Sequence, residues 1–470
     1  MKHLTNRLIP VVALAALLFP CAALSQTGNT ATGYQALNSV TTGDNNTADG
    51  YQALLDDNAG RYNTAVGFQA LLSNTTGGDN TAIGAASLSS NTVGFANTAV
   101  GLGTLANNNI GSYNTAVGFE ALESNTKGNQ NSAFGYNALF DNLTGSSNTA
   151  VGSGALTFNV DGSQNTANGT NALHSNTIGA DNVADGYEAL YSNTTGSGNG
   201  AFGFNALHLN ETGGYNLGVG AGALQANSTG GYNVAIGAGA LATLGADGAA
   251  ASRNNTAVGA GALGNATTGS YNIAIGYNAG SSADGVSNNI IIGATALSTS
   301  APAINLGVQG TQTATFVAGI FGAAVTGSPV VVNSLGQLGI APSSARFKEN
   351  IQDMGSASEA ILALRPVTFR YKPEIDPAGR PQFGLVAEEV AKISPDLVTR
   401  DAKGQIFTVR YDAVNAMLLN EFRKQHERLE TQKRTIAQLE TEVAELVERN
   451  RNYEALASRL AALEHGLDSN

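Results

Sequence analysis

The sequence predicts a mainly β protein: a repetitive β-solenoid or β-roll rod, then a small α/β domain and a C-terminal coiled coil. Three observations carry that expectation. An asparagine returns every 17 residues over more than half of the chain. Only 12% of the 470 residues are charged, while 58 are glycine, a composition unlike that of an ordinary globular enzyme. Apolar residues then recur at heptad spacing across 413–465.

Taken in order, residues 1–25 read as a secretory signal. Lys2 and Arg7 supply the positive start, Leu8 to Phe19 a short apolar run, and Ala23-Leu24-Ser25 the small residues of a cleavage site before Gln26. The run is too short to cross a bilayer comfortably. Cys21 is the single cysteine, and Pro20 before it disfavours a lipoprotein signal, so the exported chain is expected to lack disulfides. A secreted or cell-surface location follows, with the periplasm open, and no later run is long enough for a transmembrane helix.

The net charge of −12 belongs to the array. Residues 26–342 hold three basic residues (Arg61, Lys127, Arg253) against fifteen acidic ones, whereas the last 128 residues hold 18 basic and 20 acidic. A surface with so few cations is poorly suited to phosphate-backbone contacts, which argues against nucleic acid as a partner.

The repeat reads Asn-Thr-Ala-x-Gly-φ-x-Ala-Leu followed by a turn such as Ser-Asn-Thr-Thr-Gly. Its leading Asn steps by 17 from Asn29 to Asn233 and, after an insertion around Leu244–Ser252, resumes at Asn255, Asn272 and Asn289 to give sixteen copies. A constant period implies stacked coils. At roughly 4.8 Å per coil these make a rod on the order of 75 Å. Each coil can hold two short strands. In Asn63–Phe68, Ala65 and Gly67 share one strand face, Leu71 with Val66 or Phe68 supplies apolar contacts, and the glycines of Thr76-Gly77-Gly78 suit turns of positive φ. The repeated Asn is expected to form hydrogen-bond ladders rather than a ligand set. Acidic variants such as Asp49 and Asp185 are too irregular for a calcium-binding repeat, so neither metal nor cofactor is expected. Tyr34, Tyr51, Phe68, Phe119, Tyr136 and Tyr187 form an aromatic stripe, read first as core or interchain packing and second as a glycan-stacking surface.

Ile290-Ile291-Ile292-Gly293 is expected to end the array, which is bounded at about 26–300. A β neck follows over 301–342, with Thr315–Ile320 as a strand candidate and Val330–Val332 paired with Gln337–Ile340 as a hairpin. Residues 343–412 form the α/β body. A helix capped by Ser356 or Ser358 ends near Leu364, and strands are expected at Val367–Tyr371 and Phe383–Val386 around a Pro373–Pro381 loop. Helix Ala387–Ile393 and a hairpin of Leu397–Thr399 with Gln405–Val409 complete it. Glu388 and Glu389 read as solvated helix residues. The heptads place Phe422, Leu429, Ile436, Val443, Asn450 and Ala457 at a, and Leu418, Gln425, Gln432, Leu439, Leu446, Tyr453 and Leu460 at d, with 466–470 as a tail.

One constellation carries chemistry. Ser343 and Lys348 are five residues apart, and a serine hydroxyl becomes a nucleophile when a neighbouring neutral amine takes its proton. The run Ser343-x-x-Arg346-Phe347-Lys348-Glu349-Asn350-Ile351 resembles the opening of the S74 peptidase family, the C-terminal intramolecular chaperones of phage tail spikes and endosialidases. The likeness continues through Leu364-Arg365-Pro366-Val367-x-Phe369-x-Tyr371, Phe383-Gly384-Leu385-Val386-Ala387-Glu388-Glu389-Val390 and Val409-x-Tyr411-Asp412. The resemblance implies a homotrimer whose chaperone domain cuts itself off between Pro342 and Ser343, with Ser343 as nucleophile and Lys348 as general base. Two positions depart from the pattern: Ser344 stands where Asp is usual, and Pro342 precedes the serine. The array itself is similar to the head repeats of trimeric autotransporter adhesins, left-handed β-rolls packed as trimers. Together these imply an exported trimeric fibre. The alternatives are a permanent, uncleaved trimer clamp, a glycan-binding adhesin, and a prophage tail fibre, which the signal segment disfavours.

Overall fold

A computed structural model describes residues 27–467 except 247–251, 294–301, 309–310, 313–314, 319, 321–325, 334–335 and 402. The expected signal segment, Cys21 included, lies outside the described residues, as does most of the tail. The chain divides into two units, one ending at Val317 and the other starting at Ala318. Among the described residues no helix is long and apolar enough to cross a membrane.

The first unit is a parallel β-solenoid. Seventeen strands of three residues, from β1 (Thr30–Thr32) to β17 (Ile304–Leu306), form one sheet in which each strand pairs in parallel with the next. The register follows the repeat: Thr64, Ala65 and Val66 face Thr81, Ala82 and Ile83. Each coil carries one strand rather than two. The reason is that three positions per coil leave extended backbone for the left-handed region, as the non-glycine residues Gln69 (φ 55°), Leu71 (φ 52°) and Asp79 (φ 59°) do, with glycine taking one of them in some coils, as at Gly103 (φ 66°). Backbone bonds between coils nonetheless continue around the turns, as from Leu71 N–H to the Ser87 carbonyl at 2.9 Å and from Ser73 N–H to the Ser89 carbonyl at 3.0 Å.

The core is narrow and regular. Ala65, Ala70 and Leu71 are fully buried, and their equivalents repeat along the array. Holding a leucine at positive φ costs about 1–2 kcal/mol, while burying its side chain contributes about 1.5–3 kcal/mol, so burial wins. Val66 and Phe68 lie outside this core: Val66 is half-buried, and Phe68 is exposed on the outer surface. The glycine expectation also changes. Gly77 and Gly78 do not need positive φ; a side chain at Gly77 would collide with the Asn74 amide oxygen at 2.4 Å and the Gly94 carbonyl at 2.4 Å. The glycine that uses positive φ is Gly67 (φ 134°), which closes its strand.

Two asparagine ladders run through the solenoid. In the first, the N–H of Asn80 donates to Asn63 Oδ1 at 3.0 Å, and the Asn63 amide donates to the Gly77 carbonyl at 2.8 Å. The pattern extends to Asn289, whose N–H donates to Asn272 Oδ1 at 3.1 Å. The second ladder begins eleven residues later in each coil and was not anticipated. There Asn91 Nδ2 donates to Asn74 Oδ1 at 2.8 Å, and the series continues to Asn227, which donates to Asn210 Oδ1 at 2.8 Å. All of these side chains are buried, and an unmet buried amide costs about 1–3 kcal/mol.

The insertion leaves the register intact. β13 (Val234–Ile236) pairs with β14 (Thr256–Val258), and Asn255 N–H reaches Asn233 Oδ1 at 3.1 Å across a step of 22 residues. The array also runs one coil past Gly293. β16 (Ile290–Ile292) pairs with β17, and Ala303 N–H replaces the missing asparagine by donating to Asn289 Oδ1 at 3.0 Å.

The second unit starts with a hairpin, β18 (Val331–Val332) with β19 (Leu338–Gly339). The described part of Thr315–Ile320 forms no strand, and Phe316 is 94% exposed, so this apolar segment pairs with no edge among the described residues. A 3-10 helix spans Gly355–Ala363 in place of a capped α-helix, and no side chain caps its start. β20 (Val367–Phe369) pairs antiparallel with β21 (Gln382–Gly384). Next come α1 (Ala387–Ile393), then β22 (Val398–Arg400) paired antiparallel with β23 (Ile406–Val409), then α2 (Tyr411–Leu467). The core here is small: Ile361, Val390, Leu397, Val398, Val409, Val414 and Met417.

Candidate functional site

Ser343 and Lys348 flank a single 3-10 turn, Ala345–Phe347. The Ser344 carbonyl accepts the Phe347 N–H at 3.0 Å, and the Ala345 carbonyl accepts the Lys348 N–H at 3.1 Å. Pro342, Ser343 and Lys348 are all exposed in the single chain. The Arg346 guanidinium lies over the Phe347 ring at 4.5 Å, a cation–π contact that stiffens the turn. Asn350 then takes a left-handed conformation (φ 54°), which Asn tolerates better than most residues. The turn thus keeps both residues on one short segment, but among the described residues no hydrogen bond joins their side chains.

The rest of the matched segment is held by polar struts. Gly384 has no side chain because one there would meet the Tyr411 hydroxyl at 2.8 Å. That hydroxyl accepts the Leu385 N–H at 3.0 Å, tying the start of α2 to the end of β21. Arg365 grips Glu389 with two bonds, Nε at 3.0 Å and Nη2 at 2.5 Å. The hydrogen bonds from Arg365 hold the Glu389 carboxyl below its usual range and push the guanidinium up. Glu389 is therefore an engaged strut rather than a merely solvated residue.

A second serine–lysine pair sits between the 3-10 helix and α2. Ser358 is fully buried, and its hydroxyl donates to Glu421 Oε1 at 2.5 Å while accepting from Asn420 Nδ2 at 2.7 Å. Lys424 Nζ is 3.3 Å from Ser358 Oγ and 2.7 Å from Glu421 Oε1, and it reaches Glu359 at 3.2 Å. The hydrogen bond to Glu421, reinforced by Glu359, raises the Lys424 amine above its ordinary range, and the Lys424 and Ser358 bonds lower Glu421. An amine held as ammonium cannot take a proton, so this pair is a clamp on α2 rather than a dyad. Sequence spacing could not reveal it, because the partners are 62–66 residues apart.

Residues 343–399 match the peptidase S74 family, described as chaperone of endosialidase. The match opens on Ser343 and covers the 3-10 turn, β20, β21, α1 and the start of β22. It leaves out the array, β23 and all of α2. No curated protein and no solved structure matches the chain. The S74 segment therefore bears out the family resemblance.

The other candidate surface is the aromatic stripe. Tyr34, Tyr51 and Phe68 stack face to face at 5.5 and 5.4 Å, as do Phe119 with Tyr136 at 5.5 Å and Tyr187 with Phe204 at 5.4 Å. These rings are exposed rather than part of the core of the chain.

Proposed function

We propose that the protein is an exported homotrimeric fibre in which the S74 segment directs assembly of the solenoid. The observation that carries this reading is the family match beginning at Ser343. The a and d residues of α2 support it: Phe422, Leu429, Ile436, Leu439, Val443 and Leu446 are all exposed in the single chain, the state of a coiled-coil seam awaiting partners. Fixing the chains at one end has a clear use. A 17-residue repeat offers many misregistered pairings of similar energy, and a seam at one end removes most of them. Export rests on the segment 1–25.

We further propose that the chain cuts itself at Pro342–Ser343 once assembled. Ser343 Oγ attacks the Pro342 carbonyl carbon as Lys348 takes the hydroxyl proton, and the acyl group passes from nitrogen to oxygen. The amide nitrogen receives the proton back, and one water hydrolyses the ester to a Pro342 carboxylate and a new N-terminus at Ser343. Lys348 is exposed in one chain, so burial that favours a neutral amine has to come from neighbouring copies. Cleavage after folding leaves the rod kinetically stable. Intact mass of the wild type beside Ser343→Ala and Lys348→Ala tests this. A fragment starting at Ser343 in the wild type alone supports the dyad; a wild type that stays whole in the assembled state makes the domain a permanent clamp.

A second reading, glycan contact by the array, draws on the exposed stacked rings. It expects soluble glycans to shift the tyrosine fluorescence.

A further inference from the structure

The second asparagine ladder has a direction, and its first rung is an acid. From Asn74 through Asn227, every Nδ2 donates to the carbonyl of the glycine three residues on, at 2.8–3.1 Å. The same amides donate to the Oδ1 of the rung before. Asp57 occupies the rung preceding Asn74 and is fully buried. Its Oδ1 takes the place of an asparagine Oδ1, accepting Asn74 Nδ2 at 2.8 Å and the Gly60 N–H at 3.1 Å. Its Oδ2 therefore stands where every later rung carries an NH2 group aimed at a glycine carbonyl. Asn46 Nδ2 is 3.3 Å from that oxygen but also donates to the Gly60 carbonyl at 2.8 Å. As a carboxylate, Asp57 sets an oxygen against the Gly60 carbonyl; as a carboxylic acid, it supplies the missing donor.

We propose that Asp57 is a proton-binding site that locks the first coils of the solenoid: protonated, it completes the asparagine ladder by donating to Gly60, and ionised, it loosens residues 27–62. The proton comes from and returns to solvent. The charged groups on the surrounding coils are Asp44, Asp49, Asp56, Arg61 and Asp79. Arg61 is engaged with Asp44 at 3.4 Å, and Asp49, Asp56 and Asp79 are exposed, so no cation is bonded to Asp57 to hold it ionised. In keeping with the geometry, burial pushes the Asp57 carboxyl from the ordinary 3.8 up to about 6, against the lowering hydrogen bonds from Asn74 and Gly60. The sign follows. Below the ordinary value both folded and unfolded chains carry the proton, between the two values only the folded chain keeps it, and stability falls as pH rises through that window. Above about 6 nothing further is lost.

The test is amide hydrogen exchange of the full chain from about pH 4 to about pH 7.5, corrected for intrinsic rates. Wild type is expected to open residues 27–62 on the order of fiftyfold more readily at the upper end, while Asp57→Asn is flat. A flat wild type, or an Asp57→Asn chain that keeps the pH step, overturns the proposal. Asn142→Asp is read independently, in case the first variant fails to fold. It places an acid on a middle rung and should create a new pH-dependent opening there; no new step also overturns the proposal.

Discussion

Leu122 and Leu439 are the same side chain in opposite situations. Leu122 is fully buried inside its own coil, whereas Leu439 is 52% exposed on α2. The contrast extends to the units around them. In the solenoid, alanines and leucines fill the core, and two ladders bond the asparagine side chains of successive coils to one another. The second unit packs seven buried apolar residues and leaves Phe347, Ile351, Phe383, Phe407 and the α2 seam exposed. One unit buries its apolar side chains coil against coil, and the other leaves an apolar seam that, in the proposed assembly, further copies would cover. In the proposed function the first unit supplies stability and the second assembly.

The sharpest way to break that comparison is to change the seam. Ile436→Asp with Leu439→Asp is expected to abolish oligomer formation, read by sedimentation, because charges at facing a and d positions repel and are desolvated. Next in size is Leu122→Ala, expected to cost about 2–5 kcal/mol in denaturant unfolding. Leu439→Ala should cost the isolated chain far less, because that side chain keeps half of its exposure. A small effect would sharpen the strain argument. Gln130 is exposed at φ 59°, in a column that already holds Gly198 at φ 70°. Gln130→Gly should therefore change stability by no more than about 1 kcal/mol, towards stabilisation, because relief of the left-handed strain offsets the added chain entropy.

Much of the fold was legible because the period is strict. The step of 17 placed one strand of each coil up to β13, the phase resumed at β14 after the insertion, and the leading asparagines formed the expected ladder; β17, only 14 residues after β16, was not expected. In the second unit, Ala387–Ile393 is the predicted helix, and the hairpin of β22 with β23 also formed. The second ladder was hidden in plain view: Asn74 and Asn91 recur at the same period but were read as turn residues. The left-handed leucines carry no sequence mark, since leucine has no intrinsic preference for positive φ. Ser358 was read as a cap, yet it lies buried against Glu421, a partner that only the packed fold supplies. At the candidate site the sequence located Ser343 and Lys348. The single chain leaves both exposed, with no hydrogen bond between their side chains among the described residues.

The most direct measurement is the number of chains per particle, by light scattering on the full-length protein and on Ser343→Ala. The account predicts three chains for both, with the Ile436→Asp, Leu439→Asp chain falling to one. A wild type that remains a folded monomer at the mass of one chain, 47.7 kDa, would contradict the claim that the C-terminal unit is the assembly device.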